Sequence, residues 1–200
     1  MSQFSLATIV MCIVILSSCA TLSPSECQVA NWQAIGYTDG TQGRYPDYIM
    51  QHAKACSKVG ISPNSDAWEK GRQQGLTQYC TRQNAYQLGQ RGSSLRAVCP
   101  AHLITSLNEA HKQGYGIYQT KQAINNIKQQ INQDEKTLNK LLDEYKRLAN
   151  GENLHYTSEK EARAYMLSLP DKIRALRQKL GQHRDNIYRL ERKISEQQLF

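Results

Sequence analysis

Mostly apolar residues recur at every seventh position over residues 124–148 and again over residues 173–197, and this period limits what that part of the chain can form. The first two interleaved series are Ile124, Ile131, Leu138 and Tyr145 with Ile127, Asp134, Leu141 and Leu148; the later two are Ile173, Leu180, Ile187 and Ile194 with Leu176, His183, Leu190 and Gln197. Such a repeat places its side chains along one stripe of a helix, which another helix must cover. The pattern predicts coiled-coil helices within residues 119–200.

The break between the two sets of series predicts a hairpin. Asn150-Gly151 is typical of a helix C-terminus, and Ser158 with Glu161 has the spacing of a capping box that starts the next helix. Pro170 is expected to kink or restart the second helix near its beginning. Two arms of about 30 residues, each roughly 45 Å long at 1.5 Å per residue, can then fold back antiparallel. Parallel association of two chains is the competing use of the same seams.

Asp134 and His183 are the titratable residues that interrupt the middle of the seams. An antiparallel hairpin places them at similar heights, and we expect them to meet and fix the register, as buried polar pairs can do. The alternative is that both side chains turn outward to water.

Residues 29–118 differ in character, because they are rich in glycine and aromatic residues. A loose repeat places an aromatic residue or histidine three or four positions before a glycine, as in Trp32-x-x-x-Gly36, Trp68-x-x-Gly71, Tyr86-x-x-Gly89 and His111-x-x-Gly114. Glycines three or four apart share one helix face and allow another backbone to approach closely. Some glycines, such as Gly60 and Gly92, are expected in turns instead. The predicted fold is all-α: a small disulfide-stapled helical domain followed by a long antiparallel helical hairpin.

The N-terminus resembles that of a bacterial lipoprotein precursor. An uncharged apolar run over residues 6–16 is too short to span a bilayer, and Leu16-Ser17-Ser18-Cys19 is similar to a lipobox. The resemblance implies a signal peptide at 1–18, acylation of Cys19 by chains such as palmitate, and a flexible lipidated tether at 19–28. Ala20, where an aspartate would imply inner-membrane retention, implies the outer membrane. We expect the folded part to face the periplasm. The alternative is a buried apolar segment that carries this tetrapeptide by accident.

The remaining cysteines, Cys27, Cys56, Cys80 and Cys99, are even in number, which in an oxidising compartment indicates two disulfides. Of the three possible pairings we favour Cys27–Cys56 and Cys80–Cys99, because each would join neighbouring helical segments. Each bond should contribute about 3 kcal/mol in the chain-entropy model.

A zinc site is the alternative use of the cysteines. His52-x-x-x-Cys56 and Cys99-x-x-His102 each place two ligands on one helix face, and two cysteines with two histidines suit zinc. This alternative leaves the other two cysteines without a role, so the expected metal and cofactor content is none.

Three segments together resemble an uncharacterised family of bacterial lipoproteins, that of the domain of unknown function 2799. They are Trp32-Gln-Ala-Ile-Gly-Tyr-Thr-Asp-Gly-Thr-Gln-Gly43, His52-Ala-Lys-Ala-Cys56 and Gly71-Arg-Gln-Gln-Gly-Leu-Thr-Gln-Tyr-Cys80, and Cys99-Pro100 and Gly114-Tyr115 fit as well. The resemblance covers about half of the chain. It implies an exported or lipid-anchored protein and no particular activity.

No catalytic constellation is recognisable, and we expect a non-enzymatic envelope protein. Asp39, Asp47, Asp66 and Glu69 are scattered acids that suit helix caps. The expected partners are the membrane, through the lipid, and an envelope protein or a second copy, through the coiled coil. Alternatives are a glycan- or lipid-binding module that uses the aromatic residues, and, less favoured, an envelope hydrolase. The net charge of +8 is interpreted as an aid to solubility, with contact to anionic lipid or lipopolysaccharide as the alternative. Nucleic acid is not an expected partner.

Overall fold

Every regular element in the described part of the chain is helical. The computed structural model describes residues 21–152 and 156–198, so the predicted signal peptide and Cys19 lie outside the described residues. The helices are α1 (Pro24–Gln28), α2 (Trp32–Thr41), α3 (Ile49–Cys56), α4 (Ser65–Tyr79), α5 (Arg82–Gln90), α6 (Ile104–Ala149) and α7 (Glu159–Gln198), with 3-10 turns at Pro46–Tyr48, Ser57–Val59 and Ala101–Leu103. The all-α prediction is confirmed.

Side-chain caps explain where the short helices begin. Ser23 and Glu26 form a reciprocal capping box at α1, with Pro24 in the first turn. Asn31 and Asn64 accept hydrogen bonds from backbone N–H groups at the starts of α2 and α4. Residues 24–28, which we expected to belong to a flexible tether, are therefore helical, since the local sequence satisfies the free N–H groups of a first turn.

The chain divides into two compact units. The first comprises residues 21–84 and 96–107, and the second comprises residues 85–95 with the described residues from 108 onward. Both disulfides lie in the first unit and pair Cys27 with Cys56 and Cys80 with Cys99. This is the pairing favoured from the sequence. Cys27 and Cys56 are almost fully buried.

Four glycines allow α2 and α4 to cross with their backbones in contact. A methyl group on Gly36 or Gly40 would collide with the carbonyl groups of Trp68 or Arg72, and one on Gly71 or Gly75 would collide with those of Gln33 or Tyr37; all of these obstacles are backbone atoms. Each helical glycine costs about 1 kcal/mol relative to alanine. The close crossing offsets that cost by bringing the two helices into backbone contact.

The same crossing is built a second time, in the second unit, between α5 and α6. Gly89 meets the His111 carbonyl and Gly114 meets the Tyr86 carbonyl, just as Gly40 meets Arg72 and Gly75 meets Tyr37. The equivalent positions are 49 residues apart between α2 and α5 and 39 residues apart between α4 and α6. The loose sequence repeat therefore corresponds to a repeated helix crossing.

The turn that follows each crossing is repeated as well. Gly43 and Gly92 have φ values of +66° and +71°, and each lies against the ring of a tyrosine, Tyr79 or Tyr118. Arg72 Nη1 donates to the Arg44 carbonyl at 3.0 Å, and His111 Nε2 lies 2.7 Å from the carbonyl of Ser93, the residue equivalent to Arg44. At these two positions glycine is required both by the left-handed backbone and by the close ring.

Helices α6 and α7 form the predicted antiparallel hairpin. Gly151, at φ +83°, ends α6, and Ser158 Oγ accepts the Glu161 N–H at the start of α7. The boundary expected at residue 118 lies inside α6, because no break interrupts the helix after Ile104. Pro170 lies inside a continuous α7. No helix among the described residues is long and apolar enough to cross a membrane.

Candidate functional site

A buried polar network lies at the centre of the first unit. Asp39 Oδ2 accepts the indole N–H of Trp68 at 2.9 Å and lies 2.7 Å from His52 Nε2. The other ring nitrogen of His52, Nδ1, lies 2.8 Å from the Thr21 hydroxyl oxygen. Asp39, His52 and Trp68 are respectively 6%, 3% and 1% exposed. One carboxylate therefore connects α2, α3 and α4 and, through the imidazole, the chain before α1.

The glycine crossing explains how these groups meet. Asp39 lies between Gly36 and Gly40 on α2, on the side that faces α4, and the short distance between the two backbones brings the Trp68 indole to its carboxylate. With His52 Nε2–H donating to Asp39, Nδ1 is left as the acceptor for the Thr21 O–H. Both ring nitrogens and the shared carboxylate oxygen then have partners. Such a fully satisfied network rigidifies the segments that it connects.

The sequence did not reveal this network. Asp39 was expected to cap a helix, but it lies within α2 and faces inward. The sequence does contain a signal for the inward position of Asp39, because Asp39 shares one helix face with Gly36 and Gly40. His52 was considered only as a zinc ligand. The contribution of Thr21 has no sequence signal, since it depends on how the chain before α1 returns to α3.

Glu69 also does not cap a helix; its partly exposed carboxylate pairs with the buried Arg72 one turn away on α4. Arg72 donates to both carboxylate oxygens of Glu69 at 2.7 Å. These hydrogen bonds lower the pKa of the Glu69 carboxyl group. The other two predicted caps lie at helix starts: Asp66 is in the first turn of α4, and Asp47 is in the 3-10 helix Pro46–Tyr48.

The two disulfides exclude the zinc alternative. Cys56 and Cys99 are each bonded to another cysteine and so have no thiolate to offer a metal. Within the described ranges, no group of three or more His, Cys, Asp or Glu side chains could hold a metal ion. Loops of 29 and 19 residues close through these bonds, which corresponds to about 3 kcal/mol each in the chain-entropy model.

The polar residues of the hairpin seams come together as expected. His183 Nε2 lies 3.4 Å from Asp134 Oδ2, with side-chain exposures of 18% and 14%. Lys179 Nζ donates to Asp134 Oδ1 at 3.0 Å, and Arg184 Nη2 donates to Glu135 Oε1 at 3.2 Å beside the seam. The structure thus brings the pair together. Whether the pair fixes the register is a prediction.

Replacing both Asp134 and His183 by leucine tests the register prediction. We expect stability to rise by about 1 kcal/mol, because a mostly buried polar pair is exchanged for apolar packing. We also expect the double-leucine variant to form a mixture of oligomeric states, because continuous leucine seams accept several registers. Light scattering and thermal melting measure the two effects. Glu135→Gln with Arg184→Gln, which removes the exposed neighbouring ion pair, should leave both unchanged; a double-leucine variant that behaves like this control contradicts the prediction.

A second polar contact joins the helices near the hairpin turn. The Tyr165 hydroxyl donates to Glu144 Oε2 at 2.8 Å, and this hydrogen bond is the main cause that raises the pKa of Tyr165 to about 12. The contact lies beside a small apolar cluster centred on Leu148, Leu169 and Ile173.

The raised pKa predicts how the hairpin responds to alkali. Tyr165 keeps its proton longer in the folded than in the unfolded chain, so its contribution is complete below about pH 10 and is lost as the pH rises toward 12. Titration followed by tyrosinate absorbance should show a late-ionising component that is reduced in Tyr165→Phe. Replacing the exposed Tyr188 by phenylalanine provides the control, and it should leave the late ionisation in place.

Comparison with known proteins yields one match. No curated protein and no solved structure matches the chain. One family model, described as "Protein of unknown function (DUF2799)", matches residues 31–116. This segment contains the helices from α2 to the first part of α6, and therefore both glycine crossings and the residues Asp39, His52 and Trp68. Residues 31–116 therefore form a DUF2799 segment, which belongs to a family of proteins of unknown function.

Proposed function

We propose that the protein is a non-enzymatic lipoprotein of the bacterial envelope whose helical hairpin binds another protein. A lipid on Cys19 holds it to the outer membrane, and the folded part faces the periplasm. The lipobox-like Leu16-Ser17-Ser18-Cys19 supports the anchor, and Ala20 after it supports the outer membrane. The two disulfides fit an oxidising compartment.

The observation that carries the binding role is the incomplete burial of the hairpin seams. Along the middle of α6 the seam residues are only half-buried: Ile127, Ile131, Leu138 and Leu141. Two antiparallel helices cover each other along one stripe and leave its edges open to solvent. Leu167 and Tyr188, which are 67% and 68% exposed, lie three heptads apart on one face of α7. A helix laid along these edges would complete the burial.

The charge of α7 favours a partner with an acidic helix over a second copy of this chain. From Lys172 to Lys193 the helix carries eight Lys and Arg residues against Asp185 and Glu191, which gives eight minus two, or +6. A second copy would bring like charges together, whereas an acidic helix would be attracted. The occupant we propose is therefore an acidic amphipathic helix of another envelope protein.

Crosslinking in cells at Tyr188 tests this function. A photoreactive phenylalanine analogue replaces Tyr188 in the full-length protein, and mass spectrometry identifies the captured peptide. We expect one specific partner, captured through an acidic helical segment. Arg174→Glu with Arg189→Glu, two exposed changes on α7, should abolish capture, because they remove charge that attracts the partner. The matched double change Lys121→Glu with Lys128→Glu on α6 should leave capture intact.

Other outcomes would overturn the proposal. Crosslinks only between copies of this chain would make the hairpin a self-association element. If no protein is crosslinked, the protein-binding role is wrong, and the glycan- or lipid-binding alternative is favoured. The anchor is tested separately by the mass of the N-terminal peptide: Cys19→Ser should abolish acylation and release the protein from the membrane fraction, and an unmodified Cys19 in the wild type would disprove the anchor.

A further inference from the structure

We propose that the first unit lies directly on the membrane, with the surface around Thr21 in contact with anionic lipid headgroups. We call this surface, formed by Trp32, Arg44 and Tyr48 beside Thr21, the anchor-side surface. The inference rests on the proposed lipidation of Cys19. It adds a second membrane contact, made by the folded domain itself, and so assigns an orientation to that domain.

The first step is the short distance between the lipid and the folded domain. Thr21 is held through its hydroxyl by the buried His52, and Cys27 is held by its disulfide to Cys56. Cys19 lies two positions before Thr21, so their Cα atoms are at most about 7 Å apart at 3.6 Å per residue. That reach is comparable to the headgroup layer of a bilayer, which is roughly 5 to 8 Å deep on each side. The part of the domain around Thr21 therefore lies within or directly beside the headgroup layer.

The second step is the chemistry of the anchor-side surface. The rings of Tyr48 and Trp32 lie 5.3 Å and 6.4 Å from the ring of His52, the residue that holds Thr21. Both side chains are half-buried, so each presents an apolar ring with a polar edge. Tryptophan and tyrosine with this character are enriched where hydrocarbon meets headgroups.

The third step is the charge at this surface. The Arg44 guanidinium lies 4.2 Å from the centre of the Tyr48 ring and donates to the Gln42 side chain. Within the described residues no carboxylate pairs with Arg44. A guanidinium free of a carboxylate partner and packed on an interfacial aromatic residue suits a lipid phosphate, to which arginine can donate two parallel hydrogen bonds. The partner is thus a lipid surface with accessible phosphate groups.

Tryptophan fluorescence tests the orientation, because the chain has only two tryptophans, Trp32 and the buried Trp68. The acylated full-length protein is placed in vesicles of phosphatidylethanolamine and phosphatidylglycerol that carry a nitroxide quencher on the headgroup. We expect the quencher to remove most of the Trp32 emission, obtained as the difference between wild type and Trp32→Phe. Arg44→Gln should reduce this quenching.

A matched tryptophan elsewhere on the same unit provides the control. In the Trp32→Phe background, Gln78→Trp places an exposed indole ten residues beyond Trp68 on α4, about 15 Å farther along the helix. The introduced indole should be quenched much less than Trp32. If Trp32 is quenched no more than the introduced indole, the proposed orientation is wrong. That failure is distinguishable from failure of the anchor, because flotation with the vesicles and the acylated N-terminal mass report the anchor independently.

Discussion

Gly114→Ala and Gly116→Ala, two residues apart on α6, are expected to change stability in opposite directions. A methyl group at Gly114 would meet the Tyr86 carbonyl oxygen and the Gln90 N–H of α5, which are backbone atoms that cannot rotate away. Overpacking of this kind costs about 1 to 3 kcal/mol, and we expect the upper end because α5 must shift as a whole. A methyl group at Gly116 meets nothing within 4 Å, so removing the glycine should stabilise the helix by about 0.5 to 1 kcal/mol.

Urea unfolding followed by circular dichroism measures both changes. Gly181→Ala serves as a second open control, because Gly181 also has free space around it and lies within α7. Similar gains at all three positions would mean that α5 and α6 do not cross as closely as described. The equivalent replacement in the first unit, Gly75→Ala, should resemble Gly114→Ala, since Gly75 meets backbone atoms of Tyr37 and Thr41.

The hairpin could be predicted because its signals lie in the local sequence, and the disulfides because four cysteines allow few pairings. A seven-residue period specifies a helical stripe wherever the stripe is packed, and Gly151 followed by Ser158 places the turn between two helices. Four cysteines allow three pairings, and the observed pairing is the one in which each disulfide joins neighbouring helical segments. Asp134 and His183 followed from the period and the turn together, since an antiparallel fold then sets which residues share a height.

The remaining features depend on contacts between distant segments. The start of α6 at Ile104 was hidden because Gly114 and Gly116 made the sequence resemble a domain boundary, while in the structure Gly114 is the place where α5 packs. Asp39 could have been assigned to the inner face of α2 from its position between two glycines. Its partners could not, because Trp68 is 29 residues away, and reaching His52 requires the turn between α2 and α3 to be known.

The largest single loss of stability is expected for Asp39→Ala. The change leaves His52 Nε2 and the Trp68 indole N–H buried without an acceptor, at exposures of 3% and 1%. Each buried donor that is left without an acceptor costs about 1 to 3 kcal/mol, so losing the acceptor of both donors should cost about 2 to 6 kcal/mol. Asp39→Asn keeps one acceptor oxygen and should cost less. Asp47→Ala, at an exposed acid in the Pro46–Tyr48 turn, should change stability by no more than about 0.5 kcal/mol.

Urea unfolding should be followed by Trp68 emission in the Trp32→Phe background, so that the signal reports the network directly. A loss for Asp39→Ala no greater than for Asp47→Ala would show that water replaces the carboxylate and that the network does not hold the unit together. If the loss is as large as expected, Thr21→Val becomes informative. It removes only the hydroxyl at the outer end of the network, so it should cost about 1 kcal/mol, the ordinary value of one hydrogen bond, while freeing the chain that precedes α1. The rigid connection between this chain and the domain, on which the membrane orientation depends, would then be lost in a protein that remains folded.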